Sequence, residues 1–226
     1  MGAEKKHVSL VVSLLLCCGA SAYAATVVDV ALYESGTTND TVAVMPNSTV
    51  DVDVVLTLTG SPGTDLALAG YEMDIVDDYD FGSATKGISI ASILDRAIVP
   101  TGWADLSLSV YPVQLWNTAL DAAAYATNVA YELQPGLSGA SYVVETLTLT
   151  APDSFPVDGC GSDGRGYYVT VLDSSRDDDL VFTGVGGAEL EIGDIAGICI
   201  YPEPGTVALL VVGGMGLLSR RRRYSR

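Results

Sequence analysis

The side chains able to do acid–base or ligand chemistry in this chain are almost all carboxylates. Of its 28 Asp and Glu residues, 27 lie beyond residue 24, whereas the single histidine, His7, lies near the start. Without imidazole, the segment from Ala25 onward has no Ser-His-Asp or Cys-His nucleophile, no histidine general base and no histidine-ligated zinc. Paired carboxylates can hydrolyse glycosides, one as acid and the other as base or nucleophile. With this many acids some pairs must lie close by chance, and no catalytic motif accompanies any of them. A carboxylate-dependent glycosidase or lyase is therefore the least favoured reading, and no catalytic residue is assigned.

Two acidic clusters stand out: Asp77, Asp78 and Asp80, then Asp173, Asp177, Asp178 and Asp179. Calcium takes six to eight oxygens from loops of this kind. Neither cluster has the D-x-[DN]-x-[DN]-G spacing, so both read more simply as solvated turn carboxylates. No cofactor is expected, and calcium is the one metal left open. Trp103, Tyr111 and Trp116 fall in one short region. Their rings are either possible ligand contacts, stacking on sugars, or core filling.

Beyond residue 24 the cations before the C-terminal tail are Lys86, Arg96, Arg165 and Arg176, giving residues 25–204 a formal charge of −23. Such a surface repels nucleic acid and anionic polysaccharide. Of four cysteines, Cys17 and Cys18 lie near the start, leaving Cys160 and Cys199. Export would make these a disulfide; two free thiols are the alternative.

Export is what the N-terminus suggests. Lys5 and Lys6 precede the run Val8–Cys18, and Ala22-Tyr23-Ala24 follows as a small-x-small cleavage site, so 1–24 read as a signal peptide. Eleven residues of helix reach only about 16 Å, too short for a bilayer core. A buried N-terminal helix is the alternative.

The elements that must carry these groups read as strands. Val50, Val52, Val54, Leu56 and Leu58 alternate with more polar neighbours over Thr49–Thr59, the period of a strand with one buried face. Tyr71, Met73 and Ile75 alternate with Glu72 and Asp74. Further strands are expected over 27–33, 41–45, 106–115, 143–150, 167–172, 180–183, 188–192 and 195–200. Segment 88–98 reads as a strand pair or one short helix, and the Ala-rich segment 119–133 as helix. Many short strands with turn residues between them predict an all-β fold, a single antiparallel β-sandwich over residues 25–200.

The last residues differ in kind. Tyr201-Pro202-Glu203-Pro204-Gly205 precedes a 14-residue apolar run, Thr206–Ser219, and then Arg220, Arg221, Arg222 and Arg223. The prolines are expected to leave Glu203 in an exposed extended peptide, since proline neither extends a strand nor sits inside a helix. The apolar run spans about 21 Å as a short transmembrane helix, marginal for a permanent span. Gly213, Gly214 and Gly216 give it a small-residue face. The arginines favour the cytoplasm, which places the acidic domain outside.

In that order and position, Pro202-Glu203-Pro204, the short apolar run and the arginine cluster resemble the PEP-CTERM sorting signal, also catalogued as an ice-binding-protein C-terminal domain. The resemblance covers roughly residues 201–223 and implies an exosortase-type processing enzyme as partner. It also implies a membrane-held precursor destined for the cell surface or a polysaccharide matrix. A plain tail anchor is the alternative. The stretches TVDVDVVLTLTG, LALAGYEMDIVDD and VVETLTLTAPDSF resemble strands of cohesin-like and carbohydrate-binding-module sandwiches. That resemblance implies a cohesin-like jelly roll and a binding role, toward exopolysaccharide or another surface protein.

The charge yields a first test. The folded domain's melting temperature is expected to rise with ionic strength and with millimolar calcium, because cations screen its self-repulsion. A flat dependence in scanning calorimetry would show the charges too dispersed to matter.

Overall fold

A computed structural model of the chain describes residues 25–61, 66–77, 87–92, 102–105, 113–115, 120–156, 158–161, 164–172, 180–203 and 205. The strands follow the alternation of the sequence. They are β1 (Val27–Glu34), β2 (Thr41–Val44), β3 (Thr49–Thr59), β4 (Leu68–Asp77), β5 (Ser89–Ser92), β6 (Trp103–Asp105) and β7 (Val113–Gln114). The rest are β8 (Leu120–Ala126), β9 (Ala140–Thr150), β10 (Tyr167–Val171), β11 (Val181–Gly184), β12 (Glu191–Ala196) and β13 (Ile198–Pro202).

They form two sheets. One runs β12-β1-β3-β9-β5-β7; the other runs β2-β13-β10-β4-β8-β6, with β11 also paired to β4. The inward rows are the apolar ones. Val28, Val30 and Leu32 of β1, Val54, Leu56 and Leu58 of β3, and Leu147 and Leu149 of β9 come from the first sheet. Met73 and Ile75 of β4, Val169 of β10, Phe182 of β11, and Ile198 and Ile200 of β13 come from the second. Burying these faces on each other is the main stabilising term of such a sandwich.

The expected all-antiparallel pairing needs correction at the chain's two ends. β1 pairs parallel with β12, Val27 opposite Glu191, and β2 pairs parallel with β13, Cys199 opposite Thr41. Parallel neighbours need a long connection, and here the whole domain supplies it. The two opening strands therefore each receive one of the two closing strands, one pair per sheet.

The Ala-rich segment is also corrected. Residues 120–126 form β8, and only Val129–Tyr131 make a short 3-10 turn. Leu120, Ala122 and Ala124 point inward and are buried. Ala122 and Ala124 lie opposite Met73 and Tyr71 of β4, so small side chains sit beside large ones. Packing on the sheet overrides the helical preference of alanine. Segment 88–98 contributes β5; its residues 93–98, like most of 106–115, lie outside the described residues.

Phe182 is fully buried between the sheets. Phe182→Ala is expected to cost about 3–5 kcal/mol of stability through lost burial and a residual cavity. Urea unfolding monitored by circular dichroism checks it, with the slope against denaturant unchanged.

Candidate functional site

β13 is where the folded domain meets the segment read as a sorting tail, and its hydrogen bonds fix how. Along a strand successive amides point to opposite sides. The Cys199 amide donates to the Asp40 carbonyl (2.8 Å) and the Glu203 amide to the Val44 carbonyl (3.0 Å), so odd-numbered residues face β2. Even-numbered residues face β10. Pro202 has no N–H to donate, and its nitrogen falls on the β10 side, where pairing has already stopped at Tyr167 opposite Ile200. That is why Pro202 closes a strand here, opposite Val44, at no cost in hydrogen bonding. The sequence expectation that both prolines stand clear of the sheet is thus corrected for Pro202. Glu203 is exposed, as expected. Pro204 and the arginines Arg220, Arg221, Arg222 and Arg223 lie outside the described residues, as does the apolar run between them. Among the described residues no helix is long and apolar enough to cross a membrane.

Cys199 of β13 is disulfide-bonded to Cys160, with Cα atoms 5.7 Å apart and a sequence separation of 39. Cys160 sits exposed in the turn between β9 and β10, while Cys199 is buried at 4 %. The turn is built to reach over the strand. The Gly159 amide donates to the Gly164 carbonyl (2.6 Å) and the Gly161 amide to the Arg165 carbonyl (2.9 Å). A Cβ at Gly159 would collide with the Gly166 carbonyl, and one at Gly161 with the Arg165 carbonyl and Cβ of Tyr201. Only glycine lets the two arms of this turn lie so near each other and the strand.

The aromatic candidates divide. Trp103, on β6, packs in the core, its ring stacked on Tyr71 at 5.8 Å between centroids. Its indole N–H donates to the Tyr131 carbonyl (2.6 Å). An inward ring with its polar atom already bonded is no platform for a sugar, so that reading of Trp103 is corrected. Tyr111 and Trp116 lie outside the described residues. Among the described residues the exposed aromatics are Tyr125 and Tyr131, in the segment read as helix.

The carboxylates also divide. Asp77 was read as a solvated turn residue with Asp78 and Asp80; it is fully buried, and its Oδ2 accepts the Ile88 amide (3.1 Å). Asp78, Asp80 and the 173–179 cluster lie outside the described residues. Glu145 points inward in the same alternation as Leu147 and Leu149, opposite Val54 of β3, and a bulge follows it at Val54/Val55. Its Oε1 accepts the Tyr71 hydroxyl (3.1 Å) from the opposite sheet. On the outer face of the first sheet, carboxylates accept from hydroxyls across the strand pair. Thr148 Oγ1 donates to Asp51 (2.6 Å) and Thr146 Oγ1 to Asp53 (2.7 Å). Asp53 also accepts the Gly36 amide (3.0 Å), and Asp29 the Asp194 amide (2.8 Å). Asp53 and Thr148 are themselves buried at 8 % and 5 %, whereas Asp51 is exposed. Among the described residues no group of three or more His, Cys, Asp or Glu is placed to hold a metal ion.

No family model matches this chain, and no curated protein matches it. Among solved structures it is similar to the type II cohesin A11 from Bacteroides cellulosolvens, with TM-score 0.46 and 14% identity over 78% of this chain and 99% of that one. It is similar also to the cohesin module of a family 33 glycoside hydrolase from Clostridium perfringens, with TM-score 0.44 and 10% identity over 79% and 99%. The seventh ScaB type I cohesin from Pseudobacteroides cellulosolvens gives TM-score 0.43 and 10% identity over 78% and 94%. Likeness at this level bears on neither ligand nor partner.

Closing a loop of this length stabilises by about 3–4 kcal/mol in the chain-entropy picture. Cys160→Ser with Cys199→Ser is expected to lower unfolding free energy by that order, and native unreduced protein is expected to show no thiol reactive to maleimide. Two labelled cysteines in the unreduced wild type would reject the pairing.

Proposed function

We propose that the chain is an exported, non-enzymatic surface or matrix protein. In this reading the acidic sandwich has an adhesive or structural binding role, and its C-terminal segment is a sorting tail read at Pro202-Glu203-Pro204 by an exosortase-type enzyme. The observation that carries the reading is the position of the motif. Pro202 is the last residue of the last strand, and Glu203 is exposed directly beyond it. A peptide cleaved there leaves a complete sandwich behind and detaches everything that follows.

Two further features support it. The Cys160–Cys199 pair suits an oxidising compartment outside the cytoplasm. Asp51, exposed on the outer face of the first sheet, is held in place by the Thr148 hydroxyl, which lowers the ordering cost of binding a partner there. The partner is a component of the cell surface or its matrix, another surface protein or an exopolysaccharide of low charge, since the domain's own charge repels anions.

Pro202→Ala with Pro204→Ala separates a read signal from a plain anchor. Ala at residue 202 fits the end of a strand, so the domain is expected to keep its melting temperature. In a host that has the exosortase, the double variant is expected to remain an uncleaved, membrane-bound precursor by intact mass and membrane fractionation. Replacing Leu209 and Leu210 by Ile and Val, which preserves apolarity, is expected to change neither. If the proline variant matures like the wild type, the tail is only an anchor.

A further inference from the structure

The hold on β13 changes abruptly where the motif begins. Cys199 and Ile200 are paired on both sides, with β10 through Tyr168 and Tyr167 and with β2, and Ile198 is paired with Val169 of β10. Ile198 and Ile200 are fully buried, and Cys199 is fastened covalently to Cys160. Tyr201, Pro202 and Glu203 have backbone pairing on one side only. Their partner is β2, a four-residue strand at the edge of its sheet, and the outermost bond is Glu203 to Val44. Tyr201 and Pro202 are half-buried and Glu203 is exposed.

An endopeptidase takes its substrate as an extended chain, with both edges of the peptide bonded to the enzyme. Tyr201–Glu203 already have the extended shape, but one edge is occupied by β2. To be taken, these residues must leave β2. Opening a one-sided, three-residue end costs far less than opening strands in the core. Without a stop, such fraying would run on along the same ladder toward Ile198, whose side chain fills the core.

We propose that Tyr201–Glu203 form a releasable end of the sheet that must detach from β2 before the motif is processed, and that the Cys160–Cys199 disulfide is the stop that keeps this detachment from spreading into the core. The inference rests on the sorting reading for its purpose, but its physical content does not depend on any sorting enzyme. The turn that carries Cys160 also lies against Cβ of Tyr201 through Gly161 and Gly166, so the stop is placed at the hinge itself. Detachment leaves the sandwich intact up to Ile200, and re-pairing of the residues left after cleavage reseals the edge.

Hydrogen exchange read by mass spectrometry on the full-length chain in detergent tests this. In the wild type the amides of Tyr201 and Glu203 are expected to exchange at least about tenfold faster than those of Cys199 and Ile200. In Cys160→Ser with Cys199→Ser the step is expected to vanish, residues 198–200 then exchanging at the rate of 201–203 while β3 and β9 keep their protection. If residues 198–203 exchange together in the wild type, or if the step survives loss of the disulfide, the proposal is overturned. Should the double variant not fold, the wild-type profile decides alone, since a step anywhere other than between Ile200 and Tyr201 also overturns it. No processing enzyme takes part in this measurement, so its failure is distinct from maturation of the Pro202/Pro204 variant, which would overturn the sorting reading instead.

Discussion

The parallel pairing of the chain's first strands with its last ones is the constraint on which the rest of the structure depends. β1 cannot complete its edge until β12 exists, and β2 cannot until β13 does. Everything between must therefore be in place before either sheet closes. Such pairing is entropically expensive, because the loop it closes is nearly the whole domain. The disulfide reduces that cost for β13 by tying it to a turn only 39 residues upstream, beside β10, its other neighbour. Long-range closure at the ends and a short covalent tie next to it are two halves of one solution.

Inside, the two sheets are joined by more than apolar contact. The Tyr71 hydroxyl bonds Glu145 across the core, and the Tyr71 ring stacks on Trp103, whose indole is satisfied by the Tyr131 carbonyl. Each of these hydrogen bonds joins different elements: β4 to β9, and β6 to the turn after β8. A buried polar group left without its partner costs about 1–3 kcal/mol, so the series fixes the relative placement of the sheets more sharply than leucine contacts do. Glu145 shares its face with Leu147 and Leu149, which places it under Tyr71 rather than beside Thr146 on the outer face.

Which of these features the sequence discloses follows from the range of the interactions that set them. Strand β3 was legible to its end residues because Val and Leu at every second position encode one buried face locally. β8 was not, because alanine carries no period of its own; its strand character comes from Tyr71 and Met73 across the ladder. The Cys160–Cys199 tie was legible from cysteine count and the signs of export. The inward turn of Trp103 was not settled by its spacing, since a ring near other rings reads alike in a core or on a platform. Asp77 reads as a loop acid until the Ile88 amide is seen to need an acceptor. Pro202 is the sharpest case. The rule that proline ends strands is sound, but which of its sides lacks a neighbour is a property of the sheet, and β10 stops one step too early to need that N–H.

The same local geometry explains how, in the proposed sorting reading, a processed motif and a structural strand can share residues. A motif set on a long free linker would be open to any protease outside the cell, and one buried in the sheet would be open to none. Pro202 lies between these limits because proline resists both deeper incorporation and further extension of the ladder. Glu203 stays outward, where its charge keeps the edge from pairing with another chain. The acidic exterior works in the same direction: at −23 over residues 25–204, two copies approaching edge to edge repel each other. Thus the composition that tells least about a ligand has a definite structural consequence. It opposes edge-to-edge pairing of two copies along β2, an end strand of its sheet.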